Sequence, residues 1–172
     1  SGYLDEIRDQ TVGAKASFKD GDSISLDQGL ELITDKIQAQ CTRPAVGRVF
    51  FVGNGGSAAI ASHMANDFMK NGGVSAFTFN DSALLTCISN DFSYEEVFQK
   101  PIEMLMTKDD ILLAISSSGN SLNIQNAVKA ASKIGAYTIS MSGFSSENPL
   151  RSLADLNFFI DSDAYGVVEN GH

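Results

Sequence analysis

The stretch "FFVGNGGSAAIASHMANDF", residues 50–68, decides how this chain is read. An apolar run gives way to three glycines and a serine, and a segment with helical apolar spacing follows. Gly53, Gly55 and Gly56 give the backbone a freedom that β-carbons would deny it. The junction therefore reads as a tight strand-to-helix turn, of the kind that can hold a nucleotide, a phosphate or nothing at all.

Four further apolar runs follow the run at Val49–Val52: Val74–Phe79, Ile111–Ile115, Tyr137–Met141 and Leu156–Ile160. Several are continuous rather than alternating, as in strands covered on both faces. Segments 57–71, 82–105 and 121–134 between them carry helical patterns, and 142–155 has room for a turn and a brief helix. Strand–helix alternation predicts an α/β fold with a parallel sheet and helical crossovers. Ahead of this core, residues 3–18 and 25–41 have apolar positions at three- and four-residue spacing, among them Leu26, Leu30, Ile33 and Ile37. They are expected to form two helices split by the turn Asp20-Gly21-Asp22, with Arg43-Pro44 closing the front section.

The 172 residues suit one domain, and 43% hydrophobic with 19% charged composition is ordinary for a globular chain. No segment approaches the roughly 20 apolar residues of a membrane helix. The opening "SGYLDEIRDQ" does not read as a secretory signal, and its Ser1-Gly2 reads as a remnant of cloning. A net charge of −9 without a basic cluster argues against a nucleic-acid partner. Cys41 and Cys87 offer neither a disulfide framework nor metal spacing, and are expected to be buried thiols in a reducing cytoplasm.

In a parallel sheet, ligands sit beyond the carboxyl ends of the strands. Two similar loops fall there: "GNGGS" (53–57) and "SSSGNS" (116–121). Each ends in a serine at an expected helix N-cap. A helix N-terminus offers free N–H donors and about half a positive charge, which together favour an anion. With no Lys or Arg in either loop, an anion would rest on backbone and hydroxyl groups. A P-loop is excluded because neither loop has its lysine. Gly53, Gly55 and Ala58 match the dinucleotide pattern G-x-G-x-x-A, but Asp81 is late and displaced as the ribose-binding acid, and the serine loop stays unexplained. A small sugar phosphate, held at its phosphate by the serine loop and at its hydroxyls by the glycine loop, accounts for both.

"VGNGGSAAIASHMANDF" (52–68), "CISNDFSYEEVF" (87–98), "LLAISSSGNSLNIQNAVKAASKIGAYTISMSG" (112–143) and "YGVVENGH" (165–172) together resemble the sugar isomerase (SIS) domain, and within it the phosphoheptose isomerase branch. The likeness runs from about residue 30 to the end. It implies a three-layer sandwich on a five-stranded parallel sheet of flavodoxin-like topology, preceded by N-terminal helices. It implies one domain over 1–172, with 1–45 packing on the sheet or on a neighbouring subunit and 46–172 as the core. Further implications are a cytoplasmic homotetramer with sites between subunits, a sugar-phosphate substrate, and no nucleotide cofactor. Ser116, Ser117, Ser118 and Ser121 would bind the phosphate; Asn54, Gly55, Ser57 and Asp91 match positions that contact the sugar.

Aldose–ketose isomerisation through an enediol needs a base to move a proton between C1 and C2, and an acid to manage the oxygens. The resemblance assigns these roles to a glutamate on the helix after the glycine loop, where this chain has Asp67, one methylene shorter, and to a histidine near the C-terminus. It also implies a possible zinc site built from His63, Asp67 and Glu169 with that late histidine. His172 matches the first histidine of the terminal helix, so the late one would fall past His172 and the natural chain is expected to continue. A non-catalytic reading stands beside the enzyme: the family includes phosphosugar sensors and a tetrameric regulator of replication initiation.

Overall fold

The computed structural model describes residues 2–42 and 44–172. Ser1 and Arg43, and with them half of each reading placed there, lie outside the described residues. In chain order the elements are α1 (Gly2–Val12), β1 (Lys15–Phe18), β2 (Ser23–Ile24), α2 (Leu26–Cys41), β3 (Val49–Gly53), α3 (Gly56–Lys70), β4 (Ala76–Thr78), α4 (Ser82–Asp91), a 3₁₀ turn (Tyr94–Glu96), α5 (Gln99–Leu105), β5 (Ile111–Ser116), α6 (Leu122–Ile134), β6 (Tyr137–Gly143), α7 (Leu150–Leu153), β7 (Leu156–Ile160) and α8 (Tyr165–Gly171).

The strands form one seven-stranded sheet in the order β2-β1-β7-β6-β5-β3-β4. From β4 to β7 every pairing is parallel, so the five expected strands form the expected flavodoxin-like arrangement. Along β3, Phe50 and Val52 face a core formed with α4, α5 and α6, while Val49 and Phe51 face a second core under α2 and α3. That split explains the continuous apolar runs: both faces of each central strand are covered.

The front section differs from the expectation of two helices. Residues 15–18 are not the end of a helix. They form β1, which pairs antiparallel with β7 (Ala16 opposite Phe158) and turns through Gly21, at φ +95°, into β2. An uncovered β7 would present a row of unpaired backbone groups, and pairing with β1 overrides the local helical pattern. Helix α2 then packs so closely over this edge that a β-carbon on Gly29 would fall 2.7 Å from that of Ala16. Ser25 caps α2 in a reciprocal capping box with Gln28.

The expected helix over 82–105 is likewise broken in three. Ser93 is extended, with φ −162° and ψ 164°, and the 3₁₀ turn that follows carries Tyr94 toward the glycine loop. Cys41 is buried as expected, but Cys87 is exposed on the outer face of α4, a correction to the pairing of both as core thiols. No described helix is long and apolar enough to cross a membrane.

Candidate active site

The sheet reverses its direction of winding between β3 and β5, whose carboxyl ends lie side by side with Gly53 opposite Ile115. The glycine and serine loops therefore emerge next to each other at the topological switch point, where a crevice forms by geometry alone. A cavity of about 130 Å³ opens there, lined by Asn54, Ser57, Ile115, Ser116, Ser117, Ser118, Ser121, Tyr165 and Glu169. It opens to solvent, and most of its named lining groups are polar.

The glycine loop is tight for reasons visible at each position. A β-carbon on Gly53 would lie 2.6 Å from the carbonyl of Ser57, and Gly55 stands at φ +55°. At Gly56 the added carbon would fall 2.7 and 2.8 Å from the two carboxylate oxygens of Glu169. Glycine at 56 thus makes room for Glu169 beside the first turn of α3, where a carboxylate complements the helix dipole.

Ser57 is not the N-cap of α3. Gly55 is, without a side-chain cap, and Ser57 is a buried residue inside the first turn. Ser121 does occupy the N-cap of α6, yet its side chain makes no capping bond. The hydroxyls are therefore not consumed by their own helices. Ser116 Oγ lies 3.5 Å from Ser121 Oγ, and Ser117 Oγ is buried with no partner among the described residues. An orphaned buried hydroxyl is costly unless a ligand satisfies it. Gly119, at φ +64°, closes the turn by donating its N–H to the Ser116 carbonyl, and a β-carbon there would run into Asn148.

The remaining expected residues lie elsewhere. His63 and Asp67 form an i,i+4 pair on α3 with Nε2 and Oδ2 3.4 Å apart and the histidine largely exposed. At 1.5 Å per residue they sit roughly 10 and 16 Å along α3 from the Gly56 end where Glu169 lies. Asp67 lines a different, mostly apolar groove of about 440 Å³ between α2 and α3, with Ile37, Met64 and Phe68. Asp91, at the end of α4, is exposed and takes hydrogen bonds from Asn90 Nδ2 (2.9 Å) and the Cys87 thiol (3.6 Å). Among the described residues no three His, Cys, Asp or Glu side chains gather to hold a metal, so one chain by itself does not build the zinc site.

Three participants were not singled out from the sequence. Tyr165 forms the cavity's rim one turn before Glu169, its ring edge-on to Phe144 at 4.7 Å, and Phe144 holds the unusual φ of 62°. Asn123 and Tyr94 bond Asn54. His172 is pushed down to about 4 by burial, against the opposing pull of the Ser142 carbonyl, so it is neutral at pH 7 and serves to seat α8.

The SIS domain family matches residues 14–143. Over 171 residues the chain is 34% identical to a probable phosphoheptose isomerase of Thermoplasma acidophilum, covering 94% of this chain and 92% of that protein. The phosphoheptose isomerase of Helicobacter pylori strain HPAG1 is 36% identical over 132 residues, 73% of this chain and 68% of that one. Among solved structures, the phosphoheptose isomerase of Neisseria gonorrhoeae superposes with a TM-score of 0.71 at 29% identity, covering 85% of this chain and 83% of that one. The chain belongs to the SIS domain family, in its phosphoheptose isomerase branch.

Proposed function

We propose that this protein is an aldose–ketose isomerase that interconverts sedoheptulose 7-phosphate and D-glycero-D-manno-heptose 7-phosphate. The observation that carries the reading is the pair of loops at the switch point, whose serine hydroxyls are free of their own helices and line one cavity. The named activity of its relatives supplies the sugar.

In this reading Ser116, Ser117, Ser118, Ser121 and the N-terminus of α6 hold the phosphate dianion without a lysine, and Asn54, Gly55 and Ser57 hold the chain of hydroxyls. A carboxylate removes the proton from C2 of the open-chain aldose. The C–H electron pair becomes the C1–C2 double bond, and O1 takes up a proton. Return of the proton to C1 and loss of the O2 proton give the ketose. We assign the carboxylate to Asp67. Since Asp67 lies far along α3 from the cavity of its own chain, the Asp67 that works there belongs to a neighbouring copy. The apolar groove around Asp67 supports a second subunit seated on that face, in a homotetramer in the cytoplasm. His63 and Asp67 of one subunit and Glu169 of another could ligate a zinc ion, which would polarise the sugar oxygens when bound.

The test uses the full natural chain and follows heptose formation by NMR. Asp67→Asn and Ser116→Ala/Ser117→Ala variants are each expected to be inactive alone. Unfolded and reassembled together, they are expected to recover turnover, because mixed assemblies contain sites with one intact half from each chain. No recovery from demonstrably mixed oligomers would overturn the shared site. Tight binding of sedoheptulose 7-phosphate by the wild type without any turnover would replace the enzyme with the sensor reading.

A further inference from the structure

Asn54 and Asn123 face one another across the two loops in a reciprocal amide pair. Asn54 Nδ2 donates to Asn123 Oδ1 at 2.9 Å, and Asn123 Nδ2 donates to Asn54 Oδ1 at 2.8 Å. Asn123 is 3% exposed and stands in the first turn of α6, directly behind the serine loop. Its orientation follows from the backbone N–H of Ile124, which is shared between the Ser121 carbonyl at 3.1 Å and this same Asn123 atom at 3.0 Å. A backbone N–H can only donate, so that atom is the amide oxygen and the Asn123 NH₂ must face Asn54. The Asn54 atom it meets is therefore oxygen.

That oxygen accepts a second hydrogen bond, from the Tyr94 hydroxyl at 3.1 Å. Two donors fill the two lone pairs of Asn54 Oδ1. Its Nδ2 spends one hydrogen on Asn123 and keeps the other, and Asn54 lines the cavity. An asparagine left to itself could offer a ligand either a donor or an acceptor. This one can offer only a donor.

We propose that Asn123, helped by Tyr94, is a positioning residue that locks the Asn54 amide with its N–H toward the sugar, so that Asn54 donates to the oxygen that gains negative charge as the enediolate forms. The proposal rests on the isomerase reading for that oxygen. It also ties the phosphate loop to the sugar loop, since the residue that orients Asn54 belongs to the helix whose N-terminus faces the phosphate. A donor aimed before the charge develops needs no reorganisation when it does, which is where such groups gain most of their effect.

The experiment measures kcat and KM for sedoheptulose 7-phosphate in Asn123→Ala, Asn54→Ala and the double variant. Asn123→Ala is expected to lower kcat by about a hundredfold, the scale of a small misplacement of a reacting partner. KM should move less than about threefold, as for an interaction made in the transition state. The double variant should be no slower than Asn54→Ala, because Asn123 acts through Asn54. Asn123→Asp keeps the bonds from Ile124 and Asn54 Nδ2 but has no N–H for Asn54 Oδ1, so it tests the same point if the alanine variant folds poorly. A folded Asn123 variant with wild-type kcat, or a double variant slower than Asn54→Ala by the full Asn123 factor, overturns the proposal. A readout without turnover separates it from the functional reading: the two Asn54 side-chain amide protons in ¹⁵N–¹H spectra. The proton bonded to Asn123 should be protected from solvent exchange in the wild type and lose that protection in Asn123→Ala. A wild type that turns over no heptose but shows this change loses the substrate and keeps the lock; an unprotected wild-type proton refutes the lock.

Discussion

Replacing Gly56 with alanine should leave the protein as stable as before and take most of its activity. The new β-carbon would sit 2.7–2.9 Å from the carboxylate of Glu169, and nothing else stands as near. Those atoms are the far end of a flexible side chain, so the clash is relieved by turning Glu169 away, at about 0.5–1.5 kcal/mol for an imperfect rotamer. Against this, alanine restricts the unfolded chain and returns about 0.4–1 kcal/mol. The two nearly offset, and at about 2–4 °C per kcal/mol for a chain of this size the melting temperature should stay within about 4 °C of wild type. The site fares differently, because the displaced carboxylate leaves the cavity wall that faces the serines. On the reading that Glu169 accepts a charged hydrogen bond from a sugar hydroxyl, losing that bond, at about 1.5–3 kcal/mol, corresponds to roughly a 10- to 150-fold fall in kcat/KM. The assay pairs thermal melts with heptose formation for Gly56→Ala, Glu169→Ala and the double variant, which should match either single one. A Gly56→Ala protein with kcat/KM within twofold of wild type would falsify the role given to Glu169, and a melting temperature lower by many degrees would mean that the crowding is not relieved as described.

Other consequences follow from named contacts. Burial pushes the Asp110 carboxyl up, but the Arg48 guanidinium fork and the N–H groups of Thr107 and Arg48 outweigh it and hold the group below its ordinary 3.8. The stability it contributes is thus present above that value and lost as pH falls through the lower folded one; urea titrations should show Asp110→Ala about 1.5–3 kcal/mol weaker at pH 7, with the gap to wild type closing in acid. Cys41 is pushed up to about 11, chiefly by burial, with Asp110 adding to it, whereas Cys87 is exposed. A thiol reagent at pH 8 should therefore label one cysteine in the native chain and two in denaturant, and the Cys87→Ser variant should label none until unfolded. Gly119→Ala should abolish phosphate protection against thermal unfolding, because a left-handed φ and the Asn148 side chain both oppose a β-carbon there.

The order of strands and helices, the parallel sheet and the two loops beyond its carboxyl edge were legible in the sequence, because each rests on neighbours in the chain: continuous apolar runs, helical spacing and glycines at a turn. Local pattern also misled where a distant partner had the stronger claim. Residues 15–18 looked helical until β7 offered them a row of backbone groups, and Ser57 looked like a cap until Gly55 proved to be where α3 begins. Glu169 against Gly56, Tyr165 over the serines, and Asn123 turning the Asn54 amide all join residues dozens of positions apart, and no spacing announces them. The separation of Asp67 from the cavity of its own chain is of the same kind. Sequence places His63 and Asp67 on one helical face, but only the folded helix, running away from the switch point, puts them roughly 10 and 16 Å from its Gly56 end. Chain-local physics determined which loops could hold a phosphate; packing between remote segments decided which side chains meet there and which do not.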